Sequence, residues 1–172
     1  RCSFRMDDTR FARNESWWFD CFAPCTIISK NDRLLIQHRD RDRIELIPNG
    51  VDLEEFAPTT LSKVASTNDP VILFTGNMSY PPNVDAAQHL VEDILPLVSH
   101  PTVRVVLAGA EPKPSLKALA NDRVTVTGWV DDIVEVYQQA TLFVAPLRIG
   151  TGLQNKVLEA MATELPCVLS PH

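Results

Sequence analysis

Apolar positions cluster into five short runs in the latter part of the chain. They are Val71–Thr75, Val103–Leu107, Val124–Val126, Leu142–Ala145 and Pro166–Leu169. The runs are rich in β-branched residues and mostly lack polar alternation, the pattern of strands covered on both faces. Between them the spacing changes to three and four. Val84, Ala87, Val91, Ile94 and Val98 predict a helix that starts at an Asn83 N-cap and stops at Pro96. Leu116 and Leu119 predict a short helix. Ile133, Val134 and Tyr137 predict another, capped by Asp131 or Asp132. Leu153, Val157, Leu158 and Met161 predict the last. Strands alternating with helices in this way predict an α/β domain, a Rossmann-like doubly wound parallel sheet.

The first 56 residues read differently. Residues 3–19 have the look of a charged helix ending in Trp17, Trp18 and Phe19. Thr26–Ser29 and Ile44–Ile47 predict two strands, with a helix over 31–38 between them. Pro48, Asn49 and Gly50 signal a turn. Residues 57–70 are rich in Pro, Thr and Ser and predict a linker. Residues 1–56 are therefore expected to be the tail of a preceding α/β domain. Residues 71–172 are expected to form the main domain, incomplete at its C-terminal end.

Composition narrows the classes. With 45% hydrophobic and 22% charged residues in 172, the chain is ordinary globular protein. The net charge of −6 argues against a general nucleic-acid binder. No apolar run reaches the length of a membrane span. Of the four cysteines, Cys21 and Cys25 have no second ligand pair, which argues against zinc. All four are read as reduced thiols of a cytoplasmic protein.

Ligands of open parallel sheets bind at the carboxyl ends of the strands. Four of the five predicted ends carry glycine: Gly76, Gly109, Gly128, and the pair Gly150 and Gly152. A glycine lets backbone approach a ligand closely, although it also merely ends strands. The segment Arg148–Glu159 says more. It runs from a strand end through Gly150-Thr151-Gly152 into a helix, whose first N–H groups, Thr151 to Leu153, form an anion site. Arg148 and Lys156 are the only basic residues from Val124 to His172, and both flank this turn. Lys156 and Glu159 share a helix face, and a solvated ion pair is the plain alternative.

Other sites lack support. No Gly-x-Gly-x-x-Gly follows the first strand of the repeat, and no Gly-Lys-Ser/Thr exists. Asp40-Arg41-Asp42 is formally an Asp-x-Asp but lies in a charged run read as a solvated connector. His89 and His100 are read as surface residues. No Gly-x-Ser-x-Gly supports a serine hydrolase.

Six motifs in order resemble a known family. They are Ile47–Asp52 followed by Phe56; Phe74-Thr75-Gly76; Val126-Thr127-Gly128; Val144-Ala145-Pro146; Lys156–Ala162; and Leu165-Pro166. Together, over residues ~20–172, they resemble retaining glycosyltransferases of family 4 with the GT-B fold. Phe74–Ala86 and Ala145–Gly150 are similar to one branch, the sugar transferases of exopolysaccharide assembly. The resemblance implies a C-terminal donor-binding domain for a nucleotide sugar, with residues 1–56 the remnant of the acceptor-side domain.

Residue by residue, Glu159 matches the second glutamate of the family's E-x7-E motif, which holds the donor ribose. The first glutamate's position is Thr151 here. The loop Gly76–Pro82 lacks the usual Arg and Lys for the diphosphate, so Arg148 and Lys156 are inferred to act in their place, as the catalytic cations. The resemblance puts the donor against Gly76, Asn77, Gly150, Thr151, Gly152 and Leu153, and the nucleobase against Gly128, Trp129 and Val130. It implies transfer to a hydroxyl of a sugar or lipid-linked acceptor, with retention and with no metal or other cofactor. The full-length enzyme would work in the cytoplasm or peripherally at the cytoplasmic face of the membrane, and the fragment alone would be inactive. Two alternatives stay open: a non-catalytic nucleotide- or sugar-phosphate-binding module, and a GT-B sugar epimerase.

Overall fold

A computed structural model describes residues 24–58, 69–149 and 154–171. The expected helix over 3–19, most of the expected linker, and residues Gly150 to Leu153 lie outside the described residues. The chain divides into two compact units. The smaller takes in the described residues up to Asn49, and the larger runs from Gly50 onward.

In the smaller unit two short parallel strands, β1 (Thr26–Ile27) and β2 (Glu45–Leu46), flank helix α1 (Lys30–Leu35). Ser29 caps α1 by accepting from the Asp32 N–H at 3.0 Å. Both strands and the helix fall where the hydrophobic pattern put them, each shorter by a few residues.

The larger unit is built on five parallel strands: β3 (Val71–Thr75), β4 (Arg104–Ala108), β5 (Val124–Gly128), β6 (Leu142–Ala145) and β7 (Cys167–Leu169). Their order across the sheet is β5-β4-β3-β6-β7. The sheet grows one way from β3 through β4 to β5, and the other way through β6 to β7. The order therefore reverses beside β3, which opens a crevice at the strand ends there. Leu73, Phe74, Val105, Leu107 and Phe143, on the three inner strands, are fully buried. The edge strand β5 alternates buried and exposed positions, because one of its faces meets water.

Helix α2 (Pro81–His89) continues through a π turn, Leu90–Ile94, and a 3-10 turn, Leu95–Leu97. Then come α3 (Pro114–Lys117), α4 (Ile133–Gln138) and α5 (Asn155–Ala162). Asp132 caps α4 through the Glu135 N–H at 3.1 Å. Asn83 does not cap α2. The helix starts three residues earlier than expected, at Pro81 with Tyr80 as N-cap, and Asn83 is buried within its first turn. Proline at the first helical position carries the start signal.

Residues 50–58 pack with the larger unit, so that unit begins ahead of the 56/57 boundary expected from composition. Phe56 is buried in its core, edge-on to Tyr137 with ring centroids 6.1 Å apart. Among the described residues no helix is long and apolar enough to cross a membrane.

Candidate functional site

The ends of β3, β4 and β5 are sewn together past the last strand residues. The Gly76 N–H donates to Ala108 O (3.0 Å), Met78 N–H to Ala110 O (2.8 Å), and Gly109 N–H to Gly128 O (3.1 Å). The close approach requires glycine. Gly109 has φ +141°, and a Cβ there would sit 1.9 Å from the Gly76 carbonyl oxygen. Gly76 has φ +149°, and its missing Cβ leaves room for the Lys156 Nζ and the Asn83 amide.

Above these turns lies a cavity of about 670 Å³, the size of a small-molecule site. Gly76 and Asn77 line one wall, Trp129 and Val130 another, and Lys156 and Glu159 of α5 a third. Gly128 stands one position below the lining, tied to Gly109. Trp129 is 77% exposed, a large aromatic surface open at the rim.

Lys156 is the unusual residue. The inward face of α5 carries Lys156 and Ala160, and its C-cap Thr163 continues that face; all three are buried. The lysine therefore occupies a core-facing position, not the solvated face that the plain alternative required. Its ammonium donates to Asn83 Oδ1 at 2.6 Å and lies 4.6 Å from the centre of the Phe74 ring. Asn83 is itself anchored, its Nδ2 donating to Asn77 O at 2.9 Å. Burial pushes the lysine down to about 8, a shift that nearby Glu159 partly opposes. A buried cation faced by a neutral amide oxygen and an aromatic ring is well prepared for an anion.

Glu159 does not spend its carboxylate on Lys156. Its Oε2 accepts from the Tyr137 hydroxyl at 2.8 Å. That hydroxyl also lies 2.7 Å from Thr75 Oγ1 and 3.2 Å from Lys156 O. Burial, with a smaller contribution from the neighbouring Glu159 charge, pushes the phenol far up.

Arg148 corrects the expectation of two cations at one site. It is not part of the cavity wall. It makes a two-pronged ion pair with Asp85 of α2, at 3.0 Å and 2.7 Å. His89 Nδ1 lies 3.4 Å from its Nη1, and Asp93 lies 4.0 Å away. The guanidinium holds the Asp85 carboxyl below the usual carboxylate range. Gly150, Thr151, Gly152 and Leu153, expected at the anion site, lie outside the described residues. Helix α5 begins at Asn155, with Gln154 as N-cap and no side-chain bond to its first turn. Gln154 and Asn155 line the cavity beside Lys156.

Sequence reasoning missed Asn83 and Tyr137. The proline start of α2 could have placed Asn83 inside the helix. Tyr137 read as a core aromatic, and nothing along the chain marks its hydroxyl as a partner of Thr75 and Glu159.

Residues 69–172 match the family described as glycosyl transferases group 1. Among curated proteins, the chain is 30% identical over 179 residues to the UDP-Gal:alpha-D-GlcNAc-diphosphoundecaprenol alpha-1,3-galactosyltransferase of Escherichia coli. That match covers 89% of this chain and 45% of the relative. Among solved structures, HepE of Anabaena in complex with UDP-glucose superposes with a TM-score of 0.75 at 19% identity, covering 92% of this chain and 48% of that one. A glycosyltransferase from Rickettsia africae gives 0.68 at 16% identity, over 93% and 47%. The chain thus spans about half the length of the proteins it matches. The structural likeness shows the fold, the GT-B type, and with the family match over the whole five-stranded sheet it places this chain in the glycosyl transferases group 1 family.

Proposed function

We propose that this chain forms the donor side of a glycosyltransferase. It binds a nucleoside-diphosphate sugar along the strand ends, and the sugar passes to a hydroxyl of a sugar or lipid-linked acceptor in polysaccharide assembly. The observation that carries this reading is the buried Lys156 ammonium in the cavity wall, set beside the start of α5 and one turn before Glu159. The leaving nucleoside diphosphate gains negative charge as the glycosidic bond breaks. Lys156 and the α5 N-terminus stabilise that charge where it develops. Glu159 accepts from the ribose hydroxyls, and the base rests against Trp129 and Val130. Gly76 and Asn77 bring backbone close to the diphosphate.

The relatives support the substrate class. HepE was crystallised with UDP-glucose, and the Escherichia coli enzyme is named for a UDP-sugar donor and a lipid-diphosphate-linked acceptor. Retention of configuration and independence of metal belong to the same proposal. Cytoplasmic work at the inner membrane face suits a lipid-linked acceptor and the free thiol of Cys167.

A thermal-shift panel of UDP, GDP, ADP and their sugars tests the reading. One nucleotide series is expected to raise the unfolding midpoint. No shift with any of them overturns it. Activity of the full-length enzyme is expected to survive excess EDTA; loss that Mg²⁺ or Mn²⁺ restores removes the metal-free mechanism.

A further inference from the structure

The Tyr137 hydroxyl holds one proton and has three polar neighbours. Two of them, the Glu159 carboxylate at 2.8 Å and the Lys156 carbonyl at 3.2 Å, only accept. The phenol proton therefore goes to that side. Thr75 Oγ1, at 2.7 Å, must then be the donor to the phenol oxygen. The result is a one-way chain, Thr75 to Tyr137 to Glu159, that joins β3, α4 and α5. Successive bonds in such a chain polarise one another. The ring has little freedom, being 1% exposed and packed against Phe56 and Phe143 at centroid distances of 6.1 and 5.9 Å.

Glu159 Oε2 is thereby committed. Among the described residues Oε1 has no hydrogen-bond partner, and Glu159 lines the cavity. We propose that Tyr137 is the positioning residue of this site: its hydroxyl clamps Glu159 Oε2 so that Oε1 is presented to the ribose hydroxyls of a bound nucleoside diphosphate. The proposal rests on the reading of Glu159 as the ribose acceptor. Tyr137 itself touches no substrate. It acts by removing the rotamer freedom that an unclamped glutamate would lose on binding.

The test is calorimetric titration of the full chain with three probes: UDP, 2′,3′-dideoxy-UDP and inorganic pyrophosphate. Wild type is expected to prefer UDP to the dideoxy compound by roughly tenfold, the effect of a hydrogen bond to a charged group. Tyr137→Phe keeps the ring and removes the clamp. It is expected to weaken UDP by roughly three- to tenfold and to shrink the preference by the same factor. Dideoxy-UDP and pyrophosphate are expected to stay within about twofold of wild type. A merely structural role would weaken all three probes in parallel, and that result overturns the proposal.

Thr75→Val removes the upstream donor with little change of shape. It should move the preference in the same direction, and it carries the test if Tyr137→Phe does not fold. A wild-type preference in whichever of the two is folded counts against the clamp. Glu159→Ala separates the two failures. If it abolishes the preference while Tyr137→Phe preserves it, the clamp is wrong and the ribose reading stands. If Glu159→Ala keeps the preference, the ribose reading falls and the clamp with it.

Discussion

Arg148 and Lys156 belong to the same strand-to-helix segment, yet they sit in opposite electrostatic surroundings. Arg148 has a half-exposed side chain and is saturated by carboxylates, Asp85 at 2.7 Å and Asp93 at 4.0 Å. Lys156 is buried, and its ammonium is held by the neutral amide oxygen of Asn83 and the face of Phe74. The first charge is already answered within the protein and screened by water. The second is desolvated, and its contacts are neutral groups. What a basic residue can do is thus set by what surrounds it, and sequence proximity alone does not decide.

The sharpest way to break this contrast is to remove each cation and titrate with nucleotide and with pyrophosphate. Lys156→Ala is expected to weaken UDP and pyrophosphate alike, by roughly 10- to 150-fold, the loss of a charge-assisted bond. Arg148→Ala is expected to leave pyrophosphate affinity within about twofold, because its charge is engaged away from the cavity. Comparable losses in the two variants would restore Arg148 to the site.

Stability in the absence of nucleotide sharpens the same contrast. Lys156 binds its proton less tightly folded, at about 8, than its ordinary value of 10.5. Between those values the unfolded chain holds more protons, so this residue makes stability rise with pH from about 8 upward. Its penalty is in full force below 8. The whole shift corresponds to roughly 3 kcal/mol as an upper bound. Lys156→Met discards the charge but also the contacts to Asn83 and Phe74, so a gain of about 1–2 kcal/mol is expected at pH 7. Urea unfolding of both chains at pH 7 and pH 9 should show a smaller gain at the higher pH. A variant less stable than wild type at pH 7 would mean that the buried charge is compensated within the protein.

Binding should also move a proton. Near pH 8 the Lys156 ammonium of the free chain is about half protonated, and an arriving diphosphate favours the charged form. UDP binding is then expected to take up roughly half a proton at pH 8. Titration in buffers of different ionisation heat measures it directly. The uptake should persist in Arg148→Ala and vanish in Lys156→Met.

The smallest effect is expected from Asp85→Asn. The Arg148 pair is largely solvated, so its loss should change stability little at pH 7. Asp85 titrates lower when folded, so its contribution is present above its ordinary value of 3.8 and fades as pH falls through the lowered one. Wild type and Asp85→Asn should therefore converge in acid. A large loss of pyrophosphate affinity in this variant would show that the ion pair shapes the cavity.

The sequence by itself determined the sheet. Short, largely apolar runs such as Val71–Thr75 and Leu142–Ala145 read as strands covered on both faces, and each strand is seen within two residues of its expected ends. It also placed Gly76 and Asn77, Trp129 and Val130, and Lys156 and Glu159 at strand ends and a helix start, where the cavity is found. These are local properties, written in periodicity and punctuation. The partners of polar side chains are not local. Asn83 meets Lys156 across 73 positions, Arg148 meets Asp85 across 63, and Tyr137 meets Thr75 across 62. Only the tertiary structure decided which cation is buried, which is neutralised and which carboxylate oxygen is held. Burial and hydrogen bonding depend on which elements the fold brings side by side, and a pattern of apolar and polar positions carries no record of that.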